Sequence, residues 1–546
     1  MTERTDRTVL LRGGNVYSPA DPFATAMLVE GQHVAWVGSD GAAEAYADTV
    51  DEIVELDGAL VTPAFVDAHV HATSTGLALT GLDLTDCGSL AEALDRTAAF
   101  GASFAGGALI GHGWDETRWP ERRAPSLAEL DAAAGDVPLY LSRTDVHSGL
   151  ATSALRALVP GLDALPGHDA TGPLTRDAHH AVRQAALAHL TPVQRRDAQC
   201  ATLRRAAALG IGTLHECAGP QISSAEDLAA LLALAAETDG PEVYGYWGEL
   251  GPEGIETAKR LGAVGAGGDL FVDGALGSHT ACLHDPYTDA DHTGTAYLGA
   301  AEIADHVTAC TEAGLQAGFH AIGDAAIGAV VEGVRAAADK LGLDRVRAMR
   351  HRVEHAEALT PETLAAFAEL GLTASVQPAF DAAWGGPDGM YAARLGADRA
   401  AALNPFAAML RAGLPLAFGS DAPVTPLDPW GTVRAAAFHR TPEHRISVRA
   451  AFTAHTRGGH RALGHDADGI LVPGAIASYA VWDTTDLVVQ APDTRIAGWS
   501  TDPRSGTPGL PDLTPGHPLP LCLRTVVRGR TVHRRDAGAQ EAGAAR

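Results

Sequence analysis

The stretch LVTPAFVDAHVH, residues 60–71, is an apolar run that closes on two imidazoles one residue apart. Its length and its small, β-branched residues suit a short buried strand. Successive side chains on a strand point to opposite faces, so His69 and His71 share a face. Two nitrogen donors side by side are what a metal site wants. Two histidines among 24 can also meet at this spacing by chance. The reading therefore turns on whether other strands end in ligands.

Further apolar runs follow along the chain: GIGTLHE (210–216), PEVYGYWGE (241–249), GGDLFVDG (267–274), GLQAGFHAIGD (314–324), MRHRVEHAE (349–357), LTASVQPAF (372–380) and LPLAFGSDAPV (414–424). Ala-rich helical stretches separate them. Strand followed by helix, repeated, implies a parallel sheet. With 60–71 as the first, the runs number eight, which fits a closed (β/α)₈ barrel of the TIM type with its site at the C-terminal strand ends.

Those ends carry the chemistry. His69 and His71 close the first run, His320 the fifth, His355 the sixth and Asp421 the eighth. Four imidazoles and a carboxylate thus converge on one mouth, a set that chance explains poorly.

The rest of the 546 residues divides around this barrel, assigned to 61–84 plus 206–469. Residues 1–60 and 470–535 read as short alternating strands joined by Gly, Asp and Asn turns, and are expected to pair into one composite β-sandwich. Residues 85–205 far exceed an ordinary βα loop. They contain LIGHGWDETRWPERRAPSLAEL and VPLYLSRTDVHSGLATSAL, so an α/β insert lobe over the barrel mouth is expected, shaping a pocket for a small-molecule substrate.

Composition narrows the classes. A hydrophobic fraction of 46% supports a sizeable core, and 40 basic against 67 acidic residues, a net charge of −27, argue against nucleic-acid or anionic-membrane partners. The six cysteines are dispersed with no CxxC pair, which suggests neither a disulfide framework nor a Cys-type zinc ribbon. The opening MTERTDRTVLLRGG lacks an apolar signal segment and no run is long enough to span a bilayer, so a cytoplasmic location is the expectation. A homodimer is the base-rate expectation for assembly. No GxGxxG, GKS/T or GxSxG context occurs where a phosphate loop or nucleophile elbow would need it.

The motifs TPAFVDAHVH, GWDETRWP, DGALGSHTACLHDPY, HAIGD, RVEHAE, SVQP and GSDAPV, in this order over nearly the whole chain, resemble the amidohydrolase superfamily. They are most similar to amidohydrolase family 3, the group with N-substituted formamide deformylase-like enzymes. The resemblance implies that His69, His71 and Asp421 bind the more buried metal, while His320 and His355 bind a second metal or contact substrate. Zn²⁺ is the favoured ion, and Fe²⁺ and Mn²⁺ suit the same ligands. It further implies hydrolysis of a non-peptide C–N bond by metal-bound hydroxide, with Asp421 as general base and His320 and His355 in the catalytic set. A deaminase or isomerase reaction at the same site, or a scaffold of this fold without metal chemistry, are the alternatives.

One departure stands out. Relatives often carry a lysine four residues before the DG of strand four, its carbamate bridging two metals; here that position is Asp269. Asp269 can bridge directly, Glu216 is another candidate bridge, or a single ion is held. One tightly held metal is the favoured expectation, with one or two per chain allowed. The expected substrate-side residues are Trp114, Asp115 and His147 in the insert, Trp247 at the end of strand three, and Asp273 and His279 in DGALGSH, each with an ordinary core or turn role as its alternative. Tyr246 and Glu249 flank Trp247 at the mouth, and Asp324 is read as a support for a metal-bound imidazole.

Overall fold

The computed structural model describes residues 7–102, 104, 106–143, 148–484, 486–490, 499–500 and 508–536. Eight strands form one parallel sheet in sequence order: β1 (Phe65–Val70), β2 (Ile211–Ala218), β3 (Glu242–Trp247), β4 (Gly265–Ala266), β5 (Gln316–Ala321), β6 (Arg352–His355), β7 (Thr373–Val376) and β8 (Leu416–Phe418). The sheet closes where β8 returns to β1. There Asp421 donates its backbone N–H to the His69 carbonyl at 2.8 Å, His71 donates to that of Ala422 at 3.0 Å, and Val70 bridges Ala422. The barrel expected from the strand–helix alternation is therefore present.

Its strands are buried on both faces, as a helix-wrapped parallel sheet requires; every residue of β1, β2, β5, β6 and β7 is buried. The returning helices are punctuated by their sequence. Ser224 caps Ala225–Glu237 by accepting from the Asp227 N–H, and Thr360 with Pro361 opens Pro361–Leu370, which Gly371 ends in a left-handed conformation.

β4 departs from the run read as a strand. Only Gly265–Ala266 pair in the regular ladder, and Gly268, at φ 84°, turns the chain out of it. The backbone then rejoins β5 through a bridge between Phe271 and His320. This irregular segment, rather than a clean strand end, delivers Asp269.

The two chain ends meet in one sheet, ordered Asn15–Val16, Leu60–Pro63, Tyr479–Asp483, Leu521–Val527, Arg530–Arg534. A four-stranded sheet, His33–Gly38, Ala26–Glu30, Thr8–Arg12, Glu52–Glu55, accompanies it. Val9, Leu11, Val29, Val61, Tyr479 and Val526 share one core. Only Ala64 separates Leu60–Pro63 from β1. Trp482 reinforces this junction, donating its indole N–H to Thr62 Oγ1 at 2.8 Å and packing edge-on against Phe65.

Residues 72–202 form a compact unit of their own. Its sheet runs Leu174–Thr175, Ser148–Ala151, Leu139–Arg143, Leu109–Trp114, Leu82–Asp83. Leu109, Leu139, Leu141, Trp114 and Trp119 fill its core. All six cysteines are free, and among the described residues no helix is long and apolar enough to cross a membrane.

Candidate metal centre

His69, His71, His320, His355, Asp421 and Asp269 come together inside the barrel mouth, and all six are buried. Asp269 stands in the middle. One of its oxygens, Oδ2, lies 3.1 Å from His71 Nε2 and 3.5 Å from His69 Nε2. The other, Oδ1, lies 3.3 Å from His320 Nδ1 and 3.6 Å from His355 Nε2. Asp421 Oδ1 completes the first group, 3.1 Å from His71 Nε2 and 3.5 Å from His69 Nε2. Each oxygen of one carboxylate thus serves a different imidazole pair.

The ring tautomers follow from what the outer nitrogens touch. His71 Nδ1 faces the Cys217 carbonyl at 3.1 Å and His320 Nε2 faces that of Gly274 at 3.1 Å. A carbonyl can only accept, so these nitrogens carry the hydrogen. His69 Nδ1 meets Glu354 Oε2 and His355 Nδ1 meets Gln377 Oε1, each at 2.8 Å, with the same consequence. In the neutral rings, four lone pairs then point inward. An acceptor behind each imidazole is how proteins orient metal-bound histidine.

The cradle asks for positive charge. His69 Nε2, His355 Nε2 and Asp421 Oδ1 are buried without a hydrogen-bond partner, a costly state unless something else occupies them. Burial disfavours a charged imidazole, yet the facing Asp269 and Asp421 carboxylates push His71 up to about 10. Despite its own burial, Asp269 is held well below the usual carboxylate range by His69, His320 and His355. The same field that draws protons onto these rings would draw a cation between them. Imidazole and carboxylate donors suit a divalent transition metal.

Local backbone makes this convergence possible. His355 and Asp421 adopt left-handed conformations, φ 69° and 55°. Each such non-glycine residue costs roughly 1–3 kcal/mol; the reversal takes His355 off the alternation of β6, while Asp421 lies beyond the end of β8. Gly419 allows close approach of β8 to β1, since a Cβ there would meet His69 N at 2.5 Å. Asp67 Oδ1 ties the same edges together, accepting from Ser420 N at 2.9 Å and His69 N at 3.3 Å.

Among the described residues, the other expected site residues are not members of these donor groups. Glu216 is buried next to His215 on β2, but the strand alternation gives it the face opposite Cys217, and it joins none of the donor groups. Asp273 is fully buried and accepts from the backbone N–H groups of Cys282, Ile322 and Gly323, which makes it an anchor for its loop. His279 pairs with Asp289 at 2.9 Å. Asp324 accepts from the His284 backbone and so supports no metal-side imidazole. Trp247 is buried at the end of β3, its indole N–H donated to Glu249 at 2.6 Å, while Tyr246 bonds Gln316. In the 72–202 unit, Trp114 belongs to the core and donates to the Leu141 carbonyl, and Asp115 caps the turn Glu116–Arg118. His147 lies outside the described residues.

The sequence reading passed over the supports behind the ligands. Arg352 and Glu354, two residues apart on β6, form a fully buried ion pair, and Arg352 also reaches the Ala68 carbonyl and Ser375. Burial alone would raise the Glu354 carboxyl, but Arg352 and His69 bring it down to about 2. The available signal was a charged pair, two residues apart, on the inward face of an otherwise buried strand.

The profile of the amidohydrolase family matches residues 52–533. The chain is 27% identical to Protein LONG AFTER FAR-RED 3 of Arabidopsis thaliana, covering 87% of each chain. It is 23% identical to the N-substituted formamide deformylase of Arthrobacter pascens, over 88% of this chain and 94% of that one. Among solved structures, an uncharacterized metal-dependent hydrolase from Pyrococcus furiosus superposes with a TM-score of 0.73 at 26% identity, over 87% of this chain and 98% of the other. With a family match across most of its length, the described barrel and a cradle of metal-type donors in its mouth, the chain belongs to the amidohydrolase family and is a metal-dependent hydrolase.

Proposed function

We propose that the chain hydrolyses an amide-type, non-peptide C–N bond of a small organic molecule, with N-substituted formamides and cyclic amides as the leading substrate classes. The observation that carries this reading is Asp269, whose two oxygens face two separate imidazole pairs. His69, His71, Asp421 and Asp269 would hold one divalent cation, Zn²⁺ in the first instance. His320, His355 and the other oxygen of Asp269 would hold a second. This favours the bridging alternative for Asp269 over a single-ion centre. The likeness to the formamide deformylase supports the substrate class.

A divalent cation here supplies Lewis acidity and brings the pKa of water from 15.7 to near 7. The protein contributes position and proton transfer. His71, His320 and Asp421 form the edge of the cradle that retains slight exposure, whereas His69 and Glu354 are closed off. Substrate would therefore arrive on the Asp421 side. Asp421 would take the proton of the attacking water through a carboxylate oxygen and return it to the leaving nitrogen. A C–O bond forms, the C–N bond breaks, and the carboxylate ends as it began.

The test pairs metal analysis with turnover. Elemental mass spectrometry on protein purified without added metal should find bound transition metal, and a formamide and cyclic-amide panel should show hydrolysis. Asp421→Asn should fold and lose turnover by about 100-fold or more, the lower range of general-base effects. Near-normal turnover in that variant rules out the Asp421 mechanism. A chain that neither holds nor takes up metal rules out the hydrolase reading in favour of a scaffold.

A further inference from the structure

The segment after the helix Arg457–Ala462 carries a second group of metal-type donors. His460, His465 and Asp468 each offer one donor atom, and these atoms lie within 4.8 Å of one another. His460 is buried and its Nδ1 has no hydrogen-bond partner. His465 Nδ1 and Asp468 Oδ2 are 4.0 Å apart. That is too far for a hydrogen bond, yet less than twice a Zn–ligand bond of roughly 2.1 Å.

The surroundings hold this segment in place by other means, which leaves the three donors uncommitted to building it. Arg350 engages both oxygens of Asp466, at 2.8 and 2.6 Å, and the Arg461 carbonyl at 2.7 Å. Asp466 is thereby spent on an ion pair, and Asp468 remains beside the histidines. Gly469, at φ 74°, folds the chain back over His460; a Cβ there would meet Arg457 Cα at 2.7 Å and the His460 ring at 3.0 Å. The His465 ring packs edge-on against Tyr244.

These contacts fix the location. Arg350 precedes β6, and Tyr244 lies three residues before the end of β3. The cluster is therefore at the N-terminal end of the strands, away from the mouth that holds the first site. In barrels of this kind that end serves stability rather than catalysis.

We propose that His460, His465 and Asp468 form a structural site for one divalent transition-metal ion of the zinc class, which ties segment 463–469 to the floor of the barrel. Two imidazoles and a carboxylate are zinc-type donors; three protein ligands leave a fourth position for water, unlike a closed four-ligand site, so the structural role rests on the location at the N-terminal end of the strands. Ca²⁺ and Mg²⁺, which prefer oxygen alone, fit the set poorly.

Zn²⁺ itself is the probe. Full-length protein saturated with Zn²⁺ and desalted is compared with its His465→Ala/Asp468→Asn variant. Elemental mass spectrometry should count about one zinc fewer per chain in the variant, as one site demands. Added Zn²⁺ should raise the thermal midpoint of the intact chain more than that of the variant, with turnover unchanged. Should the double variant fail to fold, His465→Gln alone is titrated calorimetrically and should lack one binding event of the intact chain. Equal zinc counts, or equal titrations, overturn the site. Loss of a zinc together with loss of turnover also overturns it, because that ion would belong to the barrel mouth.

Discussion

His69 Nδ1 lies 2.8 Å from Glu354 Oε2, and both side chains are shut off from solvent. The carboxylate fixes the ring so that Nε2 faces Asp269 and Asp421, while Arg352 holds the carboxylate. Glu354→Gln preserves shape but removes the charge that makes His69 a good donor and leaves Arg352 unbalanced. Metal affinity should fall by about 10- to 100-fold, read by chelator competition on folded protein. Unchanged affinity would remove Glu354 from the support of the centre.

If Asp269 bridges two ions as proposed, it sets the metal count. Asp269→Asn replaces one carboxylate oxygen with an amide nitrogen that cannot donate a lone pair to a cation. The variant should hold at most one ion and lose turnover by about 100-fold, the scale of a lost electrostatic contact in an active site. Two ions per chain in this variant would mean that Asp269 does not bridge.

Gly419→Ala probes the seam between β8 and β1. The added methyl would sit 2.5 Å from His69 N and 2.8 Å from His69 Cβ, with backbone on one side and no flexible group to yield. Destabilisation of about 1–3 kcal/mol is expected from such overpacking. Metal binding should weaken with it, because the displaced residue is a proposed ligand. A thermal melt with a metal count checks both, and wild-type values in each would show that the seam tolerates a side chain.

His455 gives a pH signature away from the metal. It is buried against the Val66 carbonyl at 2.8 Å, and burial takes its pKa down to about 4. The folded state thus favours the neutral ring relative to the unfolded value of about 6.5. Its contribution is complete above pH 6.5 and disappears as pH falls through about 4, a span worth roughly 3 kcal/mol. Acid destabilisation over that window should be shallower in His455→Asn, which can keep an N–H toward Val66 but cannot ionise. Identical pH profiles for the two proteins would assign the loss to other groups.

The barrel was legible because its physics is local. Apolar runs at regular intervals, each ending in polar residues, specify parallel strands and a shared mouth, and His69, His71, His320, His355 and Asp421 were readable as strand-end donors. Asp269 was readable as a position but not as a geometry. Its place between the imidazoles depends on glycines that break β4 and on a bridge from Phe271 to His320. Glu354 and Gln377 lay inside recognised motifs, yet their tasks exist only once the closed barrel brings Glu354 to His69 and the pairing of β6 with β7 brings Gln377 to His355. Asp273 and Asp324 stood out as titratable residues, but the backbone N–H groups they accept from could not be read, because short-range sequence does not reveal which N–H groups a carboxylate will meet.

The seam between the first and last barrel strands has a consequence for how the molecule is made. Ser420 hydrogen-bonds Asp67 across 353 residues of chain, and Trp482 bonds Thr62 across 420. A ribosome exposes His69 and His71 long before it delivers the carboxylate opposite them, so the nascent chain has a half-built cradle for most of its synthesis. Contacts of this separation form late and slowly. The seam is thus the last part of the cradle to form, because Asp421 is the last of its six donors to be made.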